Sequence, residues 1–182
     1  MYKIAKENLS ALFRLIAESQ ELYIPQNVAG QVNFGVWDEN TEVDLKTLKT
    51  VKSPKDAFFP QSENLYTCKK VDGKLTITPE ELKNQDFVVF GMKACDVKGV
   101  EVLDRVFLTD PVDSFYAARR ERGTIVALAC NEPEESCFCK AFGIDCAEPS
   151  ADVAVWMISS KKDPVINYSL VTLPLWNNVL KY

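Results

Sequence analysis

Two short apolar runs, Phe87–Met92 and Thr124–Cys130, constrain this chain more than any other feature. Each is rich in β-branched or aromatic residues and bounded by polar ones, the pattern of strands buried on both faces. Between them, Asp96–Leu108 repeats apolar residues at helical spacing through Val97, Val100, Leu103, Val106 and Phe107. A strand, a helix and a second strand close as a right-handed crossover with the strands parallel. The predicted fold is therefore α/β (or α+β), a mixed sheet with a βαβ crossover. Parallel neighbours end on the same edge of a sheet, so residues far apart in sequence meet there. Cys95 follows the first run, Cys130 ends the second, and Cys137 and Cys139 lie on a short tether just beyond. Four thiols are thus expected in loops at the C-terminal edge of the strands.

Such a group of thiols points to a metal centre. The chain has no histidine, which removes a Cys-His zinc site, histidine acid–base catalysis and a Cys-His nucleophile pair. Four-cysteine zinc sites usually use two C-x(2–4)-C knuckles; the spacing here is C-x34-C-x6-C-x-C. A cluster of several irons accepts thiolates from separated directions, whereas zinc draws all four onto one atom. Iron–sulfur, zinc and plain redox thiols all remain open on spacing alone. The formal net charge of −5 argues against a nucleic-acid surface. No apolar stretch is long enough to span a bilayer, and Met1–Glu7 lacks the pattern of a secretory signal. A cytoplasmic location is expected, where clustered cysteines more often hold metal than form disulfides.

Elsewhere the pattern is that of an ordinary folded domain. Lys6–Ser19 places Leu9, Leu12, Phe13, Ile16 and Ala17 on one helical face. Strands are predicted at Leu22–Ile24, Gln31–Trp37 and Ala151–Ile158, and a short helical segment at Tyr116–Arg122. Leu65–Lys70 and Lys74–Thr78 read as a hairpin across Val71–Gly73. Ser53-Pro54 and Thr78-Pro79 each combine a capping residue with an early proline, which predicts two brief helical turns.

Several strings carry a resemblance: Ser53–Pro60 followed by Glu63, Phe90–Asp96, Leu103–Leu108, Tyr116–Glu121 and Glu132–Cys139. Taken in that order, they resemble the N-terminal domain of a family of redox subunits. It includes the beta subunit of soluble nickel–iron hydrogenases (sulfhydrogenases) and the corresponding iron–sulfur subunit of anaerobic sulfite reductase. The resemblance implies a [4Fe–4S] cluster on Cys95, Cys130, Cys137 and Cys139, relaying single electrons inside a multi-subunit oxidoreductase. It further implies two partners, a flavoprotein electron-transfer subunit together with a catalytic redox subunit. The alternative is a zinc-stabilised interaction module without redox activity. The family normally continues into a ferredoxin-like domain with two more clusters, and no such cysteine runs follow Cys146. The chain is accordingly a fragment, a stand-alone homologue or a protein without the relay role. Residues 1–162 are read as a single iron–sulfur-binding domain, and 163–182 as a tail that covers a sheet edge or docks a partner.

The remaining candidates are subsidiary. Cys68 reads as a small buried residue of a strand, and Cys146 as a candidate substitute ligand. Asp96 is expected to cap the helix that follows Cys95. Lys93, Lys140, Arg119 and Arg120 are candidates for offsetting the charge of a thiolate-ligated cluster. Phe138 and Phe142 would shield sulfur from water if they fold inward.

Overall fold

The computed structural model describes residues 2–160 and 163–172. Its main body is one seven-stranded mixed sheet in the order β1-β9-β8-β7-β6-β2-β3. The strands are β1 (Tyr2–Ala5), β2 (Glu21–Val28), β3 (Gln31–Val36), β6 (Phe87–Met92), β7 (Gly123–Leu128), β8 (Val153–Ser160) and β9 (Asp163–Thr172). β4 (Tyr66–Val71) and β5 (Lys74–Pro79) form a separate hairpin. At the centre, β2, β6, β7 and β8 run parallel, while β3, β9 and β1 add antiparallel edges. β9 lies between β8 and β1, so 163–172 are an interior strand of the sheet; residues 173–182 fall outside the described part.

Three helices cover the two faces: α1 (Leu9–Ala17), α2 (Ala94–Phe107) and α3 (Ser114–Arg122). Alternation along β6 divides its side chains between two cores. Val88 and Phe90 join Leu9 and Phe13 of α1 on one face. Phe87, Val89 and Met92 join Val97 and Val100 of α2 and Tyr116 of α3 on the other. Phe13 meets Phe90 edge to face at 5.1 Å between ring centroids. Every residue of β6 is buried, as a strand with helices on both sides requires. The predicted crossover is present, with α2 and α3 both falling between β6 and β7.

Gly91 sets the exit of β6. Its φ is +93°, and the pairing with β7 shifts register between Phe90 and Met92. This bulge sends Met92 to the same face as Val89 and redirects the chain toward α2. A side chain at Gly91 would meet the Pro25 ring at 3.1 Å. Gly123, at the start of β7, is pressed by Phe58 and Phe87, whose ring atoms would lie 2.3 and 2.6 Å from an added Cβ. Phe58 is wholly buried there, contributing about 1.5–3 kcal/mol. It anchors a one-turn helix, Pro54–Ala57, whose N-cap Ser53 accepts a hydrogen bond from the Lys55 amide.

The hairpin lies outside both cores. Asp72 and Gly73 at its turn have φ of +50° and +80°, the sign a two-residue loop between twisted strands demands. Register puts Tyr66, Cys68, Leu75 and Ile77 on one face, and Tyr66, Leu75 and Ile77 are each more than half exposed. Cys68 is exposed, contrary to the buried role expected from sequence, because that face has no core beneath it. At its base the Glu80 amide donates to the Leu65 carbonyl at 3.0 Å. No helical turn forms at Thr78–Glu81; Thr78 and Pro79 finish β5 instead. Proline is tolerated at the end of an edge strand because no ladder hydrogen bond is asked of it. Val106, assigned to the core by periodicity, is 61% exposed, whereas Leu103 and Phe107 of the same helix pack against the core.

Candidate metal centre

β6 and β7 are adjacent and parallel, with Met92 opposite Ala127, and both chains leave the sheet on one edge. After β6, Lys93 occupies the N-cap of α2 with no side-chain cap. The helix starts at Ala94 rather than at Asp96 as the periodicity predicts, so Cys95 already rides in its first turn. After β7, Ala129 still pairs by donating to the Val155 carbonyl, and the Cys130 amide donates to the Cys146 carbonyl, both at 2.9 Å. Cys139 begins a one-turn helix, Cys139–Phe142, closed by Gly143 with φ of +64°. Cys137 sits just before it in a tight turn, its amide donating to the Glu134 carbonyl at 3.0 Å. Its sulfur accepts the Glu134 amide at 3.3 Å.

Burial and neighbouring charge act on two of these thiols. Desolvation pushes the Cys95 thiol up, helped by the charges of Asp96 and Cys139 and opposed by the amides of Asp96 and Cys95 itself. The Cys130 thiol is pushed up to about 11 by burial, with Lys93 pulling it down and Cys146, Cys95 and Cys139 pushing it further up. At Cys95 desolvation and neighbouring negative charge outweigh the amides of the helix start. Among the described residues no three cysteine or carboxylate side chains converge tightly enough to share a single metal ion.

Lys93 is the cation of this edge. Only 8% of it is exposed, and burial lowers its pKa against the opposing pull of Cys130, Cys95, Asp44 and Asp96. A buried ammonium needs negative charge nearby, which Cys95 and Cys130 would provide only once a metal had deprotonated them. Two of the other cations proposed from sequence are committed elsewhere. Arg119 pairs with Glu63, and Arg120 reaches both oxygens of Asp104 at 3.0 Å.

Asp96 does not cap α2. Its carboxylate accepts from the Ser53 hydroxyl at 2.7 Å and from Lys55 at 2.6 Å, tying the Ser53–Ala57 turn to the helix that carries Cys95. A negative charge in the first helical turn is favourable, and here it also fixes the loop. In the sequence Ser53–Pro60 stands out as a capped turn and a matching string; its contact with Asp96 has no local signal. Phe138 and Phe142 are 67% and 73% exposed and do not cover the thiols. With Cys139 partly buried in a single turn of helix, its neighbour Phe138 is turned to solvent.

One further concavity, a cavity of about 420 Å³, is lined by Tyr23, Lys52, Ser53, Glu63, Lys83 and Arg119. Two of its cations are already paired, Lys83 with Glu21 and Arg119 with Glu63. None of the six cysteines lines it.

For a multi-iron cluster the donor set fits. Such a group takes each thiolate on a different corner, so its ligands must face a common space rather than a common atom. The edge where Cys95 and Cys130 follow adjacent parallel strands, with buried Lys93 and the uncapped amides of a helix start, offers donors from such separated directions. No helix among the described residues is long and apolar enough to cross a membrane.

Comparison with known proteins agrees with the resemblance read from the sequence. Over 158 residues, 83% of this chain, it is 31% identical to sulfhydrogenase 2 subunit beta of Pyrococcus furiosus. The chain spans 43% of that relative's length. No family model matches, and no solved structure does.

Proposed function

The chain belongs to the hydrogenase beta-subunit family, and from that homology we propose that it is an iron–sulfur electron-transfer component of a multi-subunit oxidoreductase. Its ligands are Cys95, Cys130 and Cys139 with Cys137 as the fourth thiolate suggested by spacing. The observation that supports the reading is that the segments carrying Cys95 and Cys130 leave one edge of two adjacent parallel strands beside buried Lys93. When bound, a [4Fe–4S] cluster supplies one-electron exchange, and that chemistry belongs to the cofactor.

The chain's own residues hold and tune the site. Cys95 rides on the first turn of α2, so its position is as rigid as the helix. Lys93 offsets thiolate charge from within the protein, where screening by water is weak. Asp96, Ser53 and Lys55 lock the start of the helix to a neighbouring turn. Because the Cys95 and Cys130 thiols are pushed up, they are protonated at neutral pH without metal, and ligation releases their protons. The natural partners of such a component are a flavoprotein subunit together with a catalytic redox subunit, and its compartment is the cytoplasm.

The test is anaerobic reconstitution with ferrous iron and sulfide, followed by iron, sulfide and zinc determination. Four irons with matching sulfide and broad visible absorption are expected, and Cys130→Ala is expected to lose them. Stoichiometric zinc without sulfide in protein purified anaerobically would overturn the redox reading in favour of an interaction module.

A further inference from the structure

We propose that the loop of residues 131–148, between β7 and β8, is the docking face for the electron-exchange partner. That partner is a protein with a lysine- and arginine-rich rim around an apolar pocket. This rests on the electron-transfer reading above and adds the chemistry of the partner.

The chain's charge is concentrated in this loop. Glu132, Glu134, Glu135, Asp145 and Glu148 are offset within it by Lys140 alone, so a net −4 of the formal −5 falls in one segment. Of the ion pairs among the described residues, one alone involves the loop, Glu134 with Lys49 at 3.2 Å. Glu132, Glu135 and Glu148 are exposed. A field of one sign steers an oppositely charged protein toward the loop and repels a like one. It disfavours nucleic acid, an anionic membrane surface, and a second copy of this chain docked loop to loop.

The same segment holds two apolar anchors. Phe142 and Phe138 are the most exposed large apolar side chains among the described residues, at 73% and 67%. Phe138 is the N-cap residue of the one-turn helix that Phe142 ends, and neither ring joins either core. Aromatic side chains inside a charged rim are the pattern of an interface centre and its border.

The loop is pinned at both ends. The Asn131 side-chain amide donates to the Met157 carbonyl at 3.0 Å, and the Trp156 indole N–H to the Ala147 carbonyl at 2.7 Å. Between those points the Cys130 amide donates to the Cys146 carbonyl at 2.9 Å. A loop held this way loses less freedom when a partner seats on it. It begins where β7 ends, on the edge from which the segment carrying Cys95 also leaves. Electron exchange falls off steeply with distance, so a partner has to approach that edge. One electron then passes from the reduced cluster to the partner's oxidised centre, and no bond or proton is transferred.

The experiment uses ferric cytochrome c, a basic one-electron acceptor protein, as the probe. Its binding to the metal-free full chain is measured by titration calorimetry at low and at physiological salt. In parallel, its reduction by the iron-loaded, reduced chain is followed by stopped flow. Binding at low salt is expected, weakening as salt is added. Glu132→Gln with Glu135→Gln is expected to lower affinity and second-order rate about tenfold, and Phe138→Ser with Phe142→Ser about fivefold or more. Glu80→Gln with Glu81→Gln in the hairpin makes the same change in net charge and should stay within about twofold. An equal loss in the hairpin variant, or tighter binding of acidic plastocyanin than of cytochrome c, overturns the proposal. So does self-association of the chain that the phenylalanine substitutions abolish. A parent chain that takes up no iron sinks the electron-transfer reading and the redox character of the partner, whereas the binding series by itself decides whether this loop is a docking face.

Discussion

Replacing Asp96 with asparagine separates two jobs that the carboxylate performs, and their signs are opposite. Its ion pair with Lys55, whose side chains are 32% and 21% exposed for lysine and aspartate, is worth about 0.5–1 kcal/mol after solvent screening. Asparagine still accepts from Ser53, but a neutral acceptor forfeits about 1 kcal/mol of a charge-assisted bond. Losing a negative charge from the first turn of α2 costs about 0.3–1 kcal/mol more. The fold should therefore weaken by about 2–3 kcal/mol in all, read as the midpoint of urea unfolding of the metal-free chain. Meanwhile Asp96 is one of the charges that push the Cys95 thiol up. Removing it increases the thiolate fraction, so Cys95 should be alkylated faster at mildly alkaline pH, measured by peptide mapping. A variant within about 0.5 kcal/mol of the parent, or one with slower alkylation at Cys95, would refute this account of how the loop and the helix are joined.

Other consequences are as direct. Phe138→Ser and Phe142→Ser should leave the reduction potential of the loaded protein unchanged in a redox titration, because neither ring covers the thiols; a clear shift would revive the shielding role. Tyr116→Phe removes a buried hydroxyl that donates to Asp104 at 2.7 Å, and should cost about 1–3 kcal/mol in chemical denaturation. Glu21 is held below its ordinary value of 4.5 because hydrogen bonds from Lys83 and Tyr23 outweigh the opposing effect of its burial. The unfolded chain binds the extra proton first, so this contribution is complete above about pH 4.5 and disappears as pH falls through the folded value. Glu21→Gln should flatten the acid branch of a thermal-melting profile between about pH 3 and 6, where an unaltered slope would exclude Glu21 as the cause.

The sheet centre was legible because burial on both faces leaves a plain mark. Phe87–Met92 is apolar throughout, and the predicted and observed limits of β6 coincide. The hairpin was equally readable, since Asp72-Gly73 is a turn signal that needs no distant partner. Tertiary causes hid the rest. At the Gly91 bulge Pro25 of β2 leaves no room for a side chain, a contact distant in sequence, and the early start of α2 beyond it has no local signature. Asp96 looked like a helix cap because its partners, Ser53 and Lys55, are distant in sequence. At Thr78-Pro79 the same letters serve a helix start or a strand end, and pairing with Tyr66 decides for the strand. Of the candidate site, the strand pattern was enough to bring Cys95 and Cys130 to the ends of adjacent parallel strands. The position of Cys146 follows from its bond to Cys130 and from Trp156 beyond, contacts that spacing does not encode.

The hairpin of β4 and β5 has a consequence for how such a chain tolerates change. Leu65 and Glu80 already touch through the backbone at its base, so the intervening residues could be excised and the cut sealed by a short turn. Both cores and every cysteine except Cys68 would stay where they are. Length and composition are free to drift in this appendage while the edge that carries Cys95 and Cys130 stays fixed.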